Sequence, residues 1–505
     1  MKRKNRRLSK TLTLGALALG AAGTVHAQYT PPPPPLPFPG FFNEALRKEN
    51  PYLGAWDVGG ALRLRYESKT GYALAGVGAG ATTSLDFRAR GADVSNDYLM
   101  SRLRLHVGYT DKWWSIYVEG RSSLVDDDDR YAATAPVRKK GQGPESDTID
   151  LHQAYVTLGN HKEFPLSLKV GRQELSYGEE RLVGAFGWNN IGRVFDAAKA
   201  RWQNPWFGAD FFVSRPVIPE DGQFNVDNDY DFFSGFYATS TKVPKNTLDV
   251  YLLARNTSIK APLAEPSPQF PQPSARDIYT AGMRLKSLPG EFHGWDYTLE
   301  GAYQFGDFKD TRAGAPTNRL NQQAFMVSAQ GGYTFANCWG TPRFGLEYDY
   351  ASGDSNPQDD KHETFENLFP TNHKFYGYMD FVSLQNVHDV RGIFTLKPHQ
   401  RVSLALEGHG FWLADTHDSF YNVGGVARGG TATTPGTTYG VNPTYGNFVG
   451  TELDVIGGWA VTRFAQVEAG YGHFFTGDYI RQSLSAPSRG SRDADFFYAQ
   501  LTVNF

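Results

Sequence analysis

Arginines recur along this sequence where every second residue is polar. Arg63 and Arg65 alternate with Leu62, Leu64 and Tyr66, Arg102 and Arg104 with Leu103 and Leu105, and Arg121 shares a face with Glu119, opposite Ile116 and Val118. The same face of later segments carries Lys169, Arg193, Lys199, Arg201, Arg284, Lys286, Arg343 and Arg391. It also carries the carboxylates Glu67, Glu300, Glu347, Asp349, Asp389, Glu407, Glu452, Asp454 and Glu468. Guanidinium groups gathered on one surface are permanently charged, planar donors matched to carboxylates and phosphates. Low-dielectric walls would focus their field and concentrate anions along them. The basic members come from earlier segments and the acidic ones from later segments, so one wall of any enclosure they line should be positive and the facing wall less so. The plainer reading is that these charges pair with one another and brace the chain.

Other chemistry finds weaker support. His409 lies two residues after Glu407, and His362 directly precedes Glu363; neither is HExxH, whose step of four on a helix puts both histidines on one face. Asp126 to Asp129 could hold calcium or bridge lipopolysaccharide through divalent ions, but it reads more simply as a solvated acidic loop. No GxSxG elbow is present. No catalytic residue, metal site or cofactor is expected. A barrel hydrolase, which would need a Ser or Asp cluster beside a histidine at the rim, is the enzyme alternative.

The elements that must position these charges follow from the period. Segments of about ten to fourteen residues alternate apolar and polar, as in Phe344, Leu346, Tyr348 and Tyr350 against Arg343, Gly345, Glu347 and Asp349. That is the length and pattern of a tilted strand crossing a bilayer. Composition agrees: 54 Gly, 14% aromatic residues, only 5 Met and 1 Cys suit many strands joined by polar turns. Mean hydropathy is −0.45, and beyond the leader no run of about 18 apolar residues occurs, which excludes a helical membrane protein but not a barrel. A net charge of −3 gives no footprint for nucleic acid. The lone Cys338 cannot form an internal disulfide.

The ends and connections complete the organisation. Lys2 to Arg7, the apolar run Leu12 to Val25 and Val25-His26-Ala27 read as a signal peptide over 1–27. Residues 28–55 read as a proline-rich periplasmic segment, with a short helix near Phe41 to Leu53, and 56–505 as the barrel. Short turns are expected near 110–111, 160–165, 203–206, 241–246, 288–293, 336–341, 397–401 and 462–465. Longer polar loops are expected near 69–96, 123–147, 176–191, 216–229, 257–275, 306–319, 352–384, 413–449 and 478–491. Short and long alternate throughout, as they must when both termini lie in the periplasm. The prediction is an all-β, transmembrane, antiparallel up-and-down barrel of about 18 strands in the outer membrane, with short periplasmic turns and long extracellular loops. Its lumen is too wide for wall side chains to fill, so water or inward loops must occupy it, and the Pro- and Gly-rich loops at 261–275 and 428–446 are the lid candidates. The last segment, with Phe497, Ala499, Leu501, Val503 and Phe505 on one face, resembles the signal read by barrel-assembly machinery.

Three long stretches carry a family resemblance: 169–202 (KVGRQELSYGEERLVGAFGWNNIGRVFDAAKARW), 343–379 (RFGLEYDYASGDSNPQDDKHETFENLFPTNHKFYGYM) and 451–480 (TELDVIGGWAVTRFAQVEAGYGHFFTGDYI). They resemble the alginate-export outer-membrane porin family. The resemblance implies a monomeric eighteen-stranded barrel with an arginine-rich constriction that passes a polyuronate. On this chain the positions most similar to that constriction are Arg65, Arg104, Arg172, Arg193, Arg284 and Arg391. With Arg121, Arg201, Glu119, Glu347 and Glu407 they make the expected pore-lining set. Strict alternation from Lys169 points Arg172 outward, so an inward Arg172 requires a bulge at Gly171. The expected function is a channel for anionic or neutral saccharides amid outer-membrane lipid and lipopolysaccharide; the alternative is a general diffusion or substrate-specific uptake porin.

Overall fold

Alternating sequence becomes alternating side chains on a wall that closes on itself. In a computed structural model, which describes residues 40–72, 86–91, 94–128, 145–258, 275–310, 319–428 and 434–505, eighteen long strands follow one another. They are β1 (Trp56–Thr70), β2 (Ser95–Thr110), β3 (Trp114–Asp126), β4 (Asp147–Leu158), β5 (Leu166–Gln173), β6 (Phe195–Gln203), β7 (Gly208–Ile218), β8 (Asp231–Ser240) and β9 (Asn246–Thr257). Then come β10 (Arg276–Ser287), β11 (Trp295–Lys309), β12 (Arg319–Thr334), β13 (Arg343–Ala351), β14 (Val387–His399), β15 (Val402–Leu413), β16 (Phe448–Ala460), β17 (Ala465–Thr476) and β18 (Ala494–Asn504). Each pairs antiparallel with the next, and β18 pairs back onto β1 from Ala61↔Asn504 to Thr70↔Asp495. Closure gives each of these eighteen strands a neighbour on both sides, which is what a bilayer demands of backbone polar groups.

The connections alternate short and long as the sequence predicts, from the three residues between β2 and β3 to the long segments 352–386 and 414–447. Tryptophan marks the short-turn rim. Trp56, Trp113, Trp114, Trp202, Trp206, Trp295, Trp339 and Trp459 all lie there and are exposed, as an aromatic girdle at a membrane interface should be. Beneath that rim a helix, α1 (Phe41–Glu49), sets Phe41 against Phe464 and Phe505 and pairs Glu44 with Arg463 at 2.7 Å. Residues 1–27, expected to be a signal peptide, together with 28–39, most of the loop 261–275, residues 429–433 of the second lid candidate and Asp129, lie outside the described residues.

The buried apolar cluster lies inside the barrel. Phe195, Phe212, Phe233, Leu253, Met326, Phe411 and Phe474 point inward from the strands and pack with Phe365, Leu368, Phe369, Phe375, Tyr376, Met379 and Phe381 of one long loop. The outward faces carry exposed Leu64, Leu105, Ile116, Val170, Phe211, Leu346 and Val455, the surface meant for lipid.

Candidate functional site: a lumen filled by two inward loops

Two outer connections turn into the barrel: residues 174–194, after β5, and 352–386, between β13 and β14. They are cross-braced within the lumen. Phe369 N–H donates to Leu182 O (2.9 Å), Gly184 N–H to Phe369 O (2.8 Å) and Thr371 N–H to Glu180 O (2.9 Å). The Trp188 and His373 rings stack at 3.8 Å, and Lys374 Nζ donates to Glu179 O at 3.1 Å. Burial lowers the Lys374 ammonium to about 8, against the opposing pull of Glu180 and Glu179. The loops are held by ordinary core forces, since each fully buried aromatic or aliphatic side chain contributes about 1.5–3 kcal/mol.

The basic wall receives the first loop through its backbone. Arg63 donates to Gly187 O (3.0 Å), Asn189 O (3.2 Å) and Asn190 Oδ1 (3.2 Å). Arg102 donates to Gly187 O (3.0 Å) and Asn189 O (3.1 Å). Among the described residues, neither has a carboxylate partner in an ion pair. Arg65 is fully buried, donates to Trp188 O (2.7 Å), lies 3.9 Å over the Trp188 ring and pairs with Glu67 at 2.8 Å. Arg104 reaches Glu174 at 3.2 Å and Glu119 at 3.7 Å, and Glu119 accepts from Tyr117 Oη at 2.9 Å. Arg121 bonds Asp147 and Ile191 O. A shift in β3–β4 register between Glu119/Gly120 places His152 within 3.0 Å of Arg121 and 2.9 Å of Glu174.

A second stretch of the wall, β13 to β16, is rich in carboxylates. Glu347, Asp349, Asp389, Glu407, Glu452 and Asp454 are all buried there. Arg181 of the first loop is driven into it, pairing with Glu347 (2.5 Å) and Asp349 (3.0 Å), bonding Tyr376 Oη (2.9 Å) and stacking over Phe375 at 4.0 Å. Arg391 lies between Glu407 and Glu347, the latter at 3.1 Å, and also reaches Lys374 O at 3.4 Å. The second loop comes closest at Gly377, whose φ of +85 suits glycine and whose missing Cβ leaves room for the Glu452 carboxylate. Met379 N–H donates to that carboxylate at 2.8 Å.

The remaining members of the expected set are dispersed. Arg201 faces the lumen near the short-turn rim, bonded to Asp210 and Gln203, each at 2.8 Å. Arg284 pairs with Asp249, with Glu179 at 3.8 Å. Two placements correct the sequence reading. The β4–β5 register runs unbroken through Gly171, so Arg172 keeps the outward parity of Val170 and pairs with Asp196 at 2.8 Å; it does not line the lumen, because the required bulge is absent. Arg193 is on an inward loop rather than a wall strand, donating to Gly184 O (3.1 Å) and Pro370 O (2.9 Å).

Sequence reasoning nominated other loops as lids and missed Arg181, Arg255, Arg276 and Glu366. A signal was present in FENLFPTNHKFYGYMDFVSL, residues 365–384, which is too aromatic for a solvent-facing connection.

The comparisons with known proteins now bear on this barrel. The family model described as alginate export matches residues 79–491. The chain belongs to the alginate-export family. Among solved structures, Pseudomonas aeruginosa OpdQ is similar at 10% identity with a TM-score of 0.52, covering 89% of this chain and 97% of that one. Pseudomonas aeruginosa OpdK, solved with vanillate, is similar at 11% identity with a TM-score of 0.51, covering 89% and 98%. At such identities the likeness establishes the barrel fold. No curated protein matches the sequence significantly. This family member is an outer-membrane β-barrel of the porin kind.

Proposed function

We propose that this alginate-export family member is a gated, monomeric channel for anionic or neutral saccharides, acidic sugar polymers included, with residues 1–27 serving as its export signal. The observation that carries the reading is the arginine group on β1 and β2. Arg63 and Arg102 donate to loop carbonyls, and Arg63 also to Asn190 Oδ1, with no ion-pair partner among the described residues, and Arg65 and Arg104 stand beside them on the same two strands. A carbonyl dipole satisfies a hydrogen bond but leaves the charge uncompensated. When the 187–190 segment leaves, the Arg63 and Arg102 guanidiniums face the lumen with donors free for a carboxylate, in a low-dielectric enclosure that strengthens the attraction. The loops thus cover the selective surface at rest. A general diffusion pore is the poorer reading, because two cross-braced loops and an apolar core occupy the lumen.

Proteoliposome swelling tests this. Glucuronate should enter faster than glucose, and glucose faster than protonated glucosamine, which has the same ring. Equal rates for all three, or fastest entry of the amine, would refute selection by the arginines.

A further inference from the structure

The outer mouth of the barrel holds a cavity of about 250 Å³, between the upper ends of β7, β9, β10 and β11, the two inward loops and residues 421–427. Its charged lining is Arg193, Arg255, Arg276 and Glu366, and its apolar lining includes Phe186, Phe308 and Phe365. Basic groups outnumber acidic ones in this lining, and Arg255 is held from behind by buried Asp231, through Nε at 3.2 Å and Nη2 at 2.8 Å. Glu366, buried, occupies two of the arginines at once: Arg255 Nη1 donates to its Oε1 at 2.9 Å and Arg276 Nη1 to its Oε2 at 2.5 Å. Three further buried polar atoms of the lining, Arg276 Nε, Asn367 Oδ1 and Gln385 Oε1, have no hydrogen-bond partner among the described residues. Burying such groups unsatisfied is costly, and they are the features a bound solute would repay.

Glu366 also sits in a consequential place. Its backbone is fixed by Gln304, through Glu366 N–H to Gln304 Oε1 (2.7 Å) and Gln304 Nε2 to Glu366 O (3.0 Å). Three residues on, Phe369 makes the backbone bonds that tie the second loop to the first. The carboxylate that fills the arginine pair therefore belongs to the segment that closes the lumen.

We infer that this cavity is a capture site for a small ring-bearing carboxylic acid, and that Glu366 is its built-in competitor. The acid's carboxylate takes the place of Glu366 on Arg255 and Arg276, its ring lies against Phe308 and Phe365, and the 364–371 segment loses an anchor at the outer face. Solute arriving from outside thereby loosens the braced loops. The volume admits one ring rather than an oligomer, so this site recognises a single unit. The inference deepens the channel reading and rests on it.

The test uses two probes, sodium glucuronate and sodium benzoate, with glucose as the uncharged control. Binding to the full chain in detergent is measured by calorimetry, and conductance in a planar bilayer with each acid added to one side. The wild type should bind at least one of the acids and not glucose, and that acid should raise conductance only from the long-loop side. Because a binding-competent state populated in part weakens apparent affinity in proportion, Glu366→Gln should bind that acid about tenfold more tightly and conduct more in its absence. Arg276→Gln should lose binding. Absence of binding of both acids at tens of millimolar, unchanged or weaker binding in Glu366→Gln, or equal response from either side would overturn the inference. If neither wild type nor variants conduct under any condition, it is the channel reading itself that fails.

Discussion

Arg181 is the side chain through which the first inward loop grips the acidic wall, and replacing it with Gln perturbs the closed arrangement at one point. In the closed state its guanidinium compensates Glu347 at 2.5 Å and Asp349 at 3.0 Å, with side-chain exposures of 1% and 0%. Glu347 would retain Arg391 at 3.1 Å, whereas Asp349 would lose its cation. Removing one partner of a buried pair costs about 3–5 kcal/mol, because the other charge stays desolvated. That cost is felt only while the loops are in; once they leave, water enters and solvates both carboxylates. Taking ~3 kcal/mol, since Gln can still bond Tyr376 or Glu347, the closed-to-open ratio should shift by roughly 100-fold. Single-channel recording should show the open-to-closed ratio of Arg181→Gln rising by about that factor over wild type, with unchanged heat-resistant migration of the barrel on gels. An open-to-closed ratio within threefold of wild type would show that Arg181 does not hold the gate and would refute this account of closure.

Three further outcomes are expected. Arg63→Ser with Arg102→Ser should move the reversal potential toward cations without lowering thermal stability, because these arginines have no ion-pair partner among the described residues and lumen changes tune selectivity; a stability loss with constant selectivity would make them braces. Arg391→Ser should lower the melting temperature instead, because it strands Glu407 beside Glu347; scanning calorimetry decides. Burial and the neighbouring Asp418 raise the Asp354 carboxyl to about 7, with Glu363 and Asp359 adding to the effect. Since the released loop binds that proton less tightly, the packing of 352–386 against 414–447 should weaken as pH rises from about 4 to about 7 and level off above. Hydrogen exchange at pH 5 and 7.5 should show the change, and Asp354→Asn should abolish it.

The barrel was legible because a lipid-facing wall imposes period two on every strand, and the alternation of Phe344, Leu346 and Tyr348 with Arg343, Glu347 and Asp349 survives any few-residue error in boundaries. The alternating loop lengths fixed the strand number for the same reason. The interior was less legible. Near the outer rim the inward face itself is apolar, as at Phe195, Phe233 and Leu253, so parity no longer separates lumen from lipid and Arg255 escaped notice. Arg172 shows the converse: family likeness pointed inward while plain alternation pointed outward, and the unbroken register followed alternation. Which loops fold inward depends on long-range partners such as Trp188 with His373, and Pro and Gly content pointed to 261–275 and 428–446 instead.

The central claim is that an arginine surface, uncovered when two loops withdraw, selects anionic sugars. The most direct test is the zero-current potential of Arg181→Gln and wild type in a planar bilayer under a salt gradient, followed by addition of an oligouronate. The account predicts anion preference in both, larger conductance in the variant, and block by the oligomer. Cation preference or no selectivity, together with absence of block in the open variant, would contradict it.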